Sequence, residues 1–253
     1  MKKKFFILFF TAMFLFSVSA LFTDVLNANG SGLEFKTATH ADKKVKINYP
    51  QLAGMDDKDK MATINKLIKD DALAIKSPFV EELKDLEMES NFTVEYNGSN
   101  ILSVKYSIFA NVKNAAHPVD MIHTANIDTA LLKILKLKDA VTIDESLVEK
   151  FMKGRYAPRG EDLDLESAGA LKDVTAGFDK KELLNGFKNP SEAFYFTKDS
   201  LVLSAEVAHA VGDHIEFAIP YNDLGKDLLF KPEGFKEVKT EKNADKKIGD
   251  IKN

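Results

Sequence analysis

The sequence predicts an α+β fold of two small lobes, each an antiparallel sheet with helices packed on it. Several short segments alternate apolar and polar residues, as half-buried strands do. A helical pattern precedes a run of such segments instead of alternating with them, which is typical of α+β chains. The chain has no cysteine but 45% hydrophobic residues and 19 phenylalanines. A hydrophobic core must therefore stabilise it without disulfides.

The first lobe is predicted over residues 33–139. It opens with a strand at 43–49, which Pro50 ends. The residues on its apolar face are Val45, Ile47 and Tyr49. Asp56 and Asp57 then mark the start of a helix whose apolar residues recur at helical spacing, namely Met61, Ile64, Leu67 and Ile68. A proline interrupts this helix, and a short second helix is expected over 79–86.

A β-hairpin follows in the first lobe. Its turn is predicted at Asn97 and Gly98, which supply the positive φ angles of a tight hairpin turn. The alternating apolar residues on the two sides are Phe92, Val94, Tyr96, Leu102, Val104, Tyr106 and Ile108. A further strand at 121–127 completes the predicted sheet.

The second lobe is predicted over residues 140–230. Helices are expected at 144–153 and 162–184, although Gly169 and Gly177 weaken the second. Strands are expected at 193–196, 201–207 and 214–219. The pattern thus repeats the arrangement of helices on a small sheet.

The two ends of the chain lie outside these lobes. Residues 1–28 combine a lysine-rich start, an apolar middle and small residues, which predicts an export signal cut after Ala20 or Ala28. The alternative is an uncleaved membrane anchor, because the apolar stretch is about the shortest that crosses a bilayer. Either way we expect an extracytoplasmic protein that is secreted, periplasmic or on the cell surface. Residues 231–253 hold seven lysines and five acids with few apolar groups, which predicts a disordered tail.

Charge and composition exclude several functions. Residues 1–28 hold three of the 35 basic and one of the 39 acidic residues, which leaves 32 and 38, a formal charge of −6. This balance predicts no nucleic-acid partner, and a membrane partner only if the N-terminal segment stays uncleaved. Export disfavours ATP-driven and nicotinamide chemistry, and the lack of cysteine removes thiolate metal sites and thiol nucleophiles. No cofactor is expected.

Two groups of short segments carry a resemblance to known domains. Residues 47–51, 101–106 and 115–118 resemble the N-terminal domain of peptidoglycan deacetylases of the PdaC type. Residues 194–196, 201–203 and 218–221 resemble the C-terminal domain of RsiV-like proteins, the lysozyme-binding anti-sigma factors. The resemblance implies an exported protein without assigned activity, with cell-wall glycan or a lysozyme-like protein as ligand.

The sequence also departs from these families. It lacks a deacetylase catalytic domain and a cytoplasmic sigma-binding region, so neither activity is transferred. In the stretch 207–212 the glycine of RsiV-like proteins is retained, but their proline and tyrosine are absent. A different ligand is expected if that stretch forms the binding surface.

Histidines supply the candidate metal ligands. His117, Asp120 and His123 could bind zinc, since imidazole and carboxylate groups suit that ion. Residues three apart on a strand face opposite ways, which favours instead a turn in which the His117 imidazole caps backbone groups. His209 and His214 flank a predicted turn at 212–213, where they could share a metal ion or bind an acidic ligand, or simply face solvent.

Aromatic residues of the second lobe are candidate ligand contacts. Phe194 and Phe196 alternate and are expected in the core. Tyr195 points to the other side and is therefore the better candidate for an exposed contact with carbohydrate or protein. With Tyr221 and the two histidines His117 and His209, it completes the predicted ligand-binding set.

These observations predict a non-catalytic extracytoplasmic binding module, for cell-wall glycan or a lysozyme-like protein. Two alternatives remain open. One is a metal-assisted hydrolase of the envelope that uses His117, Asp120 and His123. The other is a structural envelope protein without a small ligand.

Overall fold

The structure of the chain is a computed structural model, and it describes residues 25–27, 33–158, 164–189 and 192–233. Most of the predicted export signal, the start of the predicted helix 162–184 and nearly all of the predicted tail lie outside them. Within these ranges, no helix is both long and apolar enough to cross a membrane.

The first lobe is a seven-stranded sheet whose strand order follows the chain. Its strands are β1 (Val25–Asn27), β2 (Glu34–Asp42), β3 (Val45–Ala53), β4 (Leu86–Asn97), β5 (Ile101–Val112), β6 (Val119–Asp128) and β7 (Lys133–Ile134). All neighbours are antiparallel except β3 and β4, which are parallel. Parallel neighbours need a crossover connection, and helix α1 (Lys58–Ala74) supplies it. Cleavage after Ala20 would keep β1, whereas cleavage after Ala28 would remove it.

Helix α1 begins and packs as its sequence predicts. The Asp57 side chain accepts a hydrogen bond from the Lys60 backbone N–H at 2.9 Å and caps the helix. Ile64, Ile68 and Ala72 recur four residues apart and are fully buried. This stripe packs with apolar residues of the sheet, which together form the core of the first lobe.

Two local predictions for the first lobe were wrong. Strand β3 does not end at Pro50 but continues to Ala53. Strand β4 pairs with β3 only at residues 45–47, so Pro50 lies where that side of β3 has no neighbouring strand, and a proline is tolerated there. The helix expected over 79–86 is a 3₁₀ turn at Ser77–Phe79, followed by turns that lead into β4.

The predicted hairpin is present as β4 and β5, but its turn differs. The turn lies two residues later, at Ser99 and Asn100, where Gly98 N–H donates to the Ile101 carbonyl at 2.9 Å. Neither Asn97 nor Gly98 has a positive φ. A Cβ atom on Gly98 would lie 2.7 Å from the Tyr96 ring. The glycine therefore leaves room for a tyrosine instead of supplying a left-handed conformation.

The second lobe is a four-stranded antiparallel sheet with the order β8-β11-β10-β9. Its elements are α2 (Leu137–Ala140), α3 (Glu145–Met152), β8 (Arg155–Ala157), α4 (Leu171–Ala176), α5 (Lys180–Phe187), β9 (Phe194–Phe196), β10 (Ser200–Glu206), β11 (His214–Pro220) and α6 (Tyr221–Leu224). Gly177 ends α4, so the long helix expected over 162–184 is divided. The predicted α+β class, with helices packed on two sheets, is confirmed.

Phenylalanines dominate the core of the second lobe. The ring of Phe151 on α3 makes edge-to-face contacts with Phe187 on α5 and Phe217 on β11, at centroid distances of 5.1 and 5.0 Å. These contacts hold both helices against one face of the sheet. The opposite face is therefore available for the first lobe.

Candidate functional site

The two faces of the second sheet differ in chemistry because side chains alternate along its strands. Phe194, Phe196 and Phe217 point to the helices and the apolar core. Tyr195 and Glu216 point the other way, toward strands β5 and β6 of the first sheet. The lobes thus meet across a surface that carries both apolar and polar groups.

The edge of β9 that has no neighbouring strand is hydrogen bonded by side chains of the first sheet. Asn126 Nδ2 donates to the Phe194 carbonyl at 2.7 Å, and Phe194 N–H donates to Thr124 Oγ1 at 3.2 Å. The Phe196 N–H donates to Ser103 Oγ at 3.0 Å, while Ser103 in turn donates to Asn126 Oδ1. Polar backbone groups that a neighbouring strand would normally satisfy are therefore satisfied across the junction.

A buried charged cluster lies at the same junction, and we call it the lobe seam (Lys105, Tyr195, His214 and Glu216). Lys105 Nζ lies 3.4 Å from Glu216 Oε2 and 4.8 Å from the centre of the Tyr195 ring. Tyr195 OH donates to the same carboxylate at 2.7 Å, and His214 Nε2 lies 3.5 Å from its other oxygen. Only 3% of the Glu216 side chain is exposed. The seam joins β5 of one lobe to β9 and β11 of the other.

The electrostatics of the seam keep Glu216 ionised. Burial raises the pKa of Glu216, but hydrogen bonds from His214 and Tyr195 and the charge of Lys105 outweigh it, so the pKa lies below its ordinary value. Burial and the adjacent Glu216 carboxylate raise the pKa of Tyr195, so its hydroxyl stays a donor. The polar groups of this cluster pair with one another, and Lys105 also lies 3.4 Å from Glu95 Oε1, which is the arrangement of a structural contact.

Both tyrosines predicted as ligand contacts are buried. Tyr195 faces away from the core of its lobe, as expected, but the first lobe covers that face and leaves 4% of the residue exposed. Tyr221 is 1% exposed, and its hydroxyl donates to the Thr197 carbonyl at 2.7 Å. The prediction that Tyr195 is exposed was therefore wrong, because the sequence does not reveal which surface another lobe covers.

The structure brings together His117 and His209, which the sequence placed in different lobes. Their rings stack with centroids 3.8 Å apart and an interplanar angle of 13°. Asp213 accepts from the Asp120 backbone N–H at 2.9 Å and lies 3.0 Å from His209 Nδ1. Positive φ angles at Gly212 and Asp213 make this turn possible. The two exposed histidines therefore belong to a contact between the lobes.

The proposed zinc set is not brought together. His123 pairs with Asp71 of α1 at 2.7 Å, on the opposite face of β6 from Asp120. Among the described residues, no three histidine or acidic side chains are placed to hold a metal ion. The stacked rings of His117 and His209 hold their nitrogen lone pairs in parallel planes, which is unfavourable for binding one ion between them. The alternation applies to Asp120 and His123, which both lie on β6, whereas His117 precedes that strand.

A groove of about 680 Å³ lies between helices α4 and α5 and the end of β10. We call it the acidic groove. Apolar side chains line part of it, namely Val174, Phe178, Leu183, Val207 and Val211. Five carboxylates line the rest, from Asp173, Asp179, Glu182, Glu192 and Glu206. None of the lining residues described is basic, and the volume lies within the usual range for ligand sites.

Two of these carboxylates differ in their surroundings. Asp179 caps α5, because it accepts from the N–H groups of Lys181 and Glu182 at 2.8 and 2.9 Å. Glu192 has no ion-pair partner among the residues that the structure describes. Burial and the charge of Glu206 raise the pKa of Glu192 to about 7, although the Ala193 N–H opposes the shift. Within the described ranges, the groove therefore holds an acid that forms no ion pair.

Sequence reasoning missed Glu192, Glu206 and Asp213. A signal for the first two was available in the pairing of β9 with β10, where Phe194 lies opposite Leu203. Extending that antiparallel register by two residues sets Glu192 opposite Ala205, next to Glu206. No comparable signal locates Asp213 beside His209, since the turn angles decide it.

Comparisons with known proteins give structural neighbours alone. No protein-family model matches the chain, and no curated protein matches it. The fold is similar to a crystal structure of a DUF3298 family member from Bacteroides fragilis, with 17% identity, a TM-score of 0.49 and coverage of 81% of this chain and 96% of that one. It is also similar to a DUF3298 family protein from Pseudomonas aeruginosa, with 14% identity, a TM-score of 0.49 and coverage of 79% and 95%.

Proposed function

We propose that this protein is a non-catalytic extracytoplasmic binding module that holds a secreted protein, of the lysozyme-like class, in the acidic groove. The pattern of residues 1–28 supports export. The groove supports binding, because it combines ligand-sized volume with apolar contacts and several carboxylates. It is the single observation on which the proposal rests.

The chemistry of other polar groups favours binding over catalysis. Lys105, Tyr195 and Glu216 hydrogen bond or pair with one another inside the seam. His123 is paired with Asp71, and Asp213 is engaged by His209 and the Asp120 backbone. Groups occupied in this way are poorly placed to act on a substrate. The groove itself contains carboxylates but no described histidine, lysine or arginine to serve with them.

The charge of the groove distinguishes between the two ligand classes expected from sequence. A row of carboxylates attracts a basic protein surface and repels an anionic wall polymer. We therefore favour a protein partner, and binding to wall glycan becomes the alternative outcome of the test.

The test is a pull-down with the purified chain on a solid support, against lysozyme and against purified peptidoglycan. We expect retention of lysozyme that weakens as salt is added, because the attraction is screened. The variant Glu182→Lys/Glu206→Lys should lose retention. The matched control is Glu89→Lys, which changes an exposed acid on the first sheet. Retention of peptidoglycan alone, or retention unaffected by the groove variant, would contradict the proposal.

A further inference from the structure

We infer that the acidic groove binds an extended peptide segment in which a lysine ammonium lies between Glu192 and Glu206 while neighbouring apolar side chains contact Phe178 and Leu183. The inference rests on the proposed function and specifies the chemistry that the partner must present. It commits to a peptide segment of a partner protein as the occupant.

The ammonium position follows from an unbalanced pair of acids. Glu192 and Glu206 line the same groove, Glu192 is partly buried there, and the charge of Glu206 disfavours its ionisation. Two carboxylates that repel each other in a partly desolvated site are stabilised by a shared cation. A lysine is better suited than a metal ion, since no three acidic or histidine groups in the described ranges can surround one.

The apolar part of the groove selects the rest of the ligand. Phe178 and Leu183 line it beside the carboxylates, with Val207 and Val211 from the segment that follows β10. The four-carbon stem of a lysine can lie along apolar surface while its ammonium reaches the acids. Adjacent apolar side chains of a peptide would add to the buried area. A small hydrophilic amine would gain only the charge interaction.

The volume indicates an extended segment and not a whole domain. About 680 Å³ accommodates several side chains, as ligand grooves of this size do. Other carboxylates, such as Asp173 and Glu182, lie along the same groove and can meet further basic residues. Alternating basic and apolar residues therefore fit the distribution of charge and apolar surface.

The inference is tested by fluorescence anisotropy with a labelled synthetic peptide of alternating lysine and leucine. We expect Glu192→Gln and Glu206→Gln each to weaken binding about tenfold. The control Asp223→Asn, an exposed acid of α6 outside the groove, should leave binding unchanged. Replacing leucine by serine in the peptide should also weaken binding about tenfold, and replacing lysine by glutamate should abolish it. Equal affinity for spermidine and the peptide would overturn the role of the apolar surface.

The pH dependence separates a direct contact from a general charge effect. Affinity of the wild-type chain should rise between pH 6 and pH 8, as Glu192 loses its proton, whereas the Glu192→Gln variant should lose this rise. A chain ending at Glu233 should bind the peptide with unchanged affinity. A tenfold gain on that truncation would instead assign the groove to the chain's own lysine-rich residues 234–253.

The inference and the proposed function fail separately. If lysozyme is retained in the pull-down but Glu192→Gln and Glu206→Gln do not weaken the peptide, the lysine anchor is wrong and the binding module stands. If the peptide binds as expected but lysozyme is not retained, the groove chemistry is correct and the proposed partner class is wrong.

Discussion

Glu216 in the lobe seam is buried and Glu192 in the acidic groove is partly buried, yet their pKa values move in opposite directions. Burial raises the pKa of each. At Glu216, hydrogen bonds from His214 and Tyr195 and the charge of Lys105 outweigh this effect, and the pKa falls below 4.5. At Glu192 the charge of Glu206 adds to burial, and the pKa rises from 4.5 to about 7. The two sites show how the same residue type can be fitted to different tasks.

The two pKa shifts change the stability of the folded protein in opposite directions. Glu216 has a lowered pKa in the folded protein, so it contributes stability above pH 4.5 that is lost as the pH falls through its folded pKa. Glu192 has a raised pKa, so folding is disfavoured progressively as the pH rises from 4.5 to about 7. A cation that binds beside Glu192 is expected to offset the destabilisation caused by its ionised carboxylate. The seam therefore stabilises the fold, whereas the charge of the groove is left for a ligand to pair with.

The largest effect is expected from breaking the seam. Lys105→Met should lower the free energy of unfolding by about 3 kcal/mol, because it leaves the Glu216 carboxylate buried without its cation. The measurement is chemical denaturation at pH 7. Lys46→Met is the matched control, since its pair with Glu89 is solvent-exposed and should contribute less than about 1 kcal/mol. Equal losses in the two variants would remove the distinction between seam and surface.

A somewhat smaller loss is expected where side chains replace a neighbouring strand. Asn126→Ala should destabilise the chain by about 2 kcal/mol, because the Phe194 carbonyl loses its donor in a buried position. Asn91→Ala provides the control, as Asn91 makes only an exposed hydrogen bond with Asn48 among the bonds described for its side chain. Thermal denaturation of both variants compares them. A loss below about 0.5 kcal/mol for Asn126→Ala would show that water can take its place.

The groove should respond in the opposite sense. Glu192→Gln should raise the free energy of unfolding by about 2 kcal/mol at pH 8, because it removes a buried charge whose pKa is raised. At pH 4 the gain should nearly vanish, since Glu192 is then mostly protonated in both the folded and unfolded states. Denaturation at the two pH values measures the difference. A loss of stability at pH 8 would mean that a cation partner was overlooked.

The smallest effect is expected at the exposed end of the contact between the lobes. His209→Ala removes a stacked ring and a partner of Asp213, but both side chains are partly in solvent. We expect a loss of about 0.5 kcal/mol by thermal denaturation at pH 7. Nuclear magnetic resonance titration of His117 in the same variant would then show whether the stacking affects its protonation. A loss above about 2 kcal/mol would show that this contact contributes to stability as strongly as the seam does.

Much of the fold could be predicted from periodicity. The alternation around Val104 and Tyr106 and the helical spacing of Ile64 and Ile68 indicate which faces are buried, and the structure buries them. Strand β2 and the extension of β3 past Pro50 were missed, since both depend on which neighbours the strands have. Local patterns report what one element requires, and they do not report what other elements provide.

The candidate site was less predictable for the same reason. Tyr195 was correctly assigned to the face opposite the core, but its burial results from the first lobe and has no local signature. His117 and His209 are 92 positions apart, and only the turn at Gly212 and Asp213 together with the docking of the lobes brings them into contact. Glu192 stands out through its partial burial beside Glu206, and the local sequence pattern does not reveal that burial.

The docking of β9 against Ser103, Thr124 and Asn126 has a consequence for self-association. An edge strand with free backbone groups can recruit the same strand of another molecule and start an intermolecular sheet. Here the first lobe occupies that edge. A fragment that holds the second lobe alone would expose the edge of β9 to solvent. In the intact chain, the docking of the two lobes therefore protects them from aggregation.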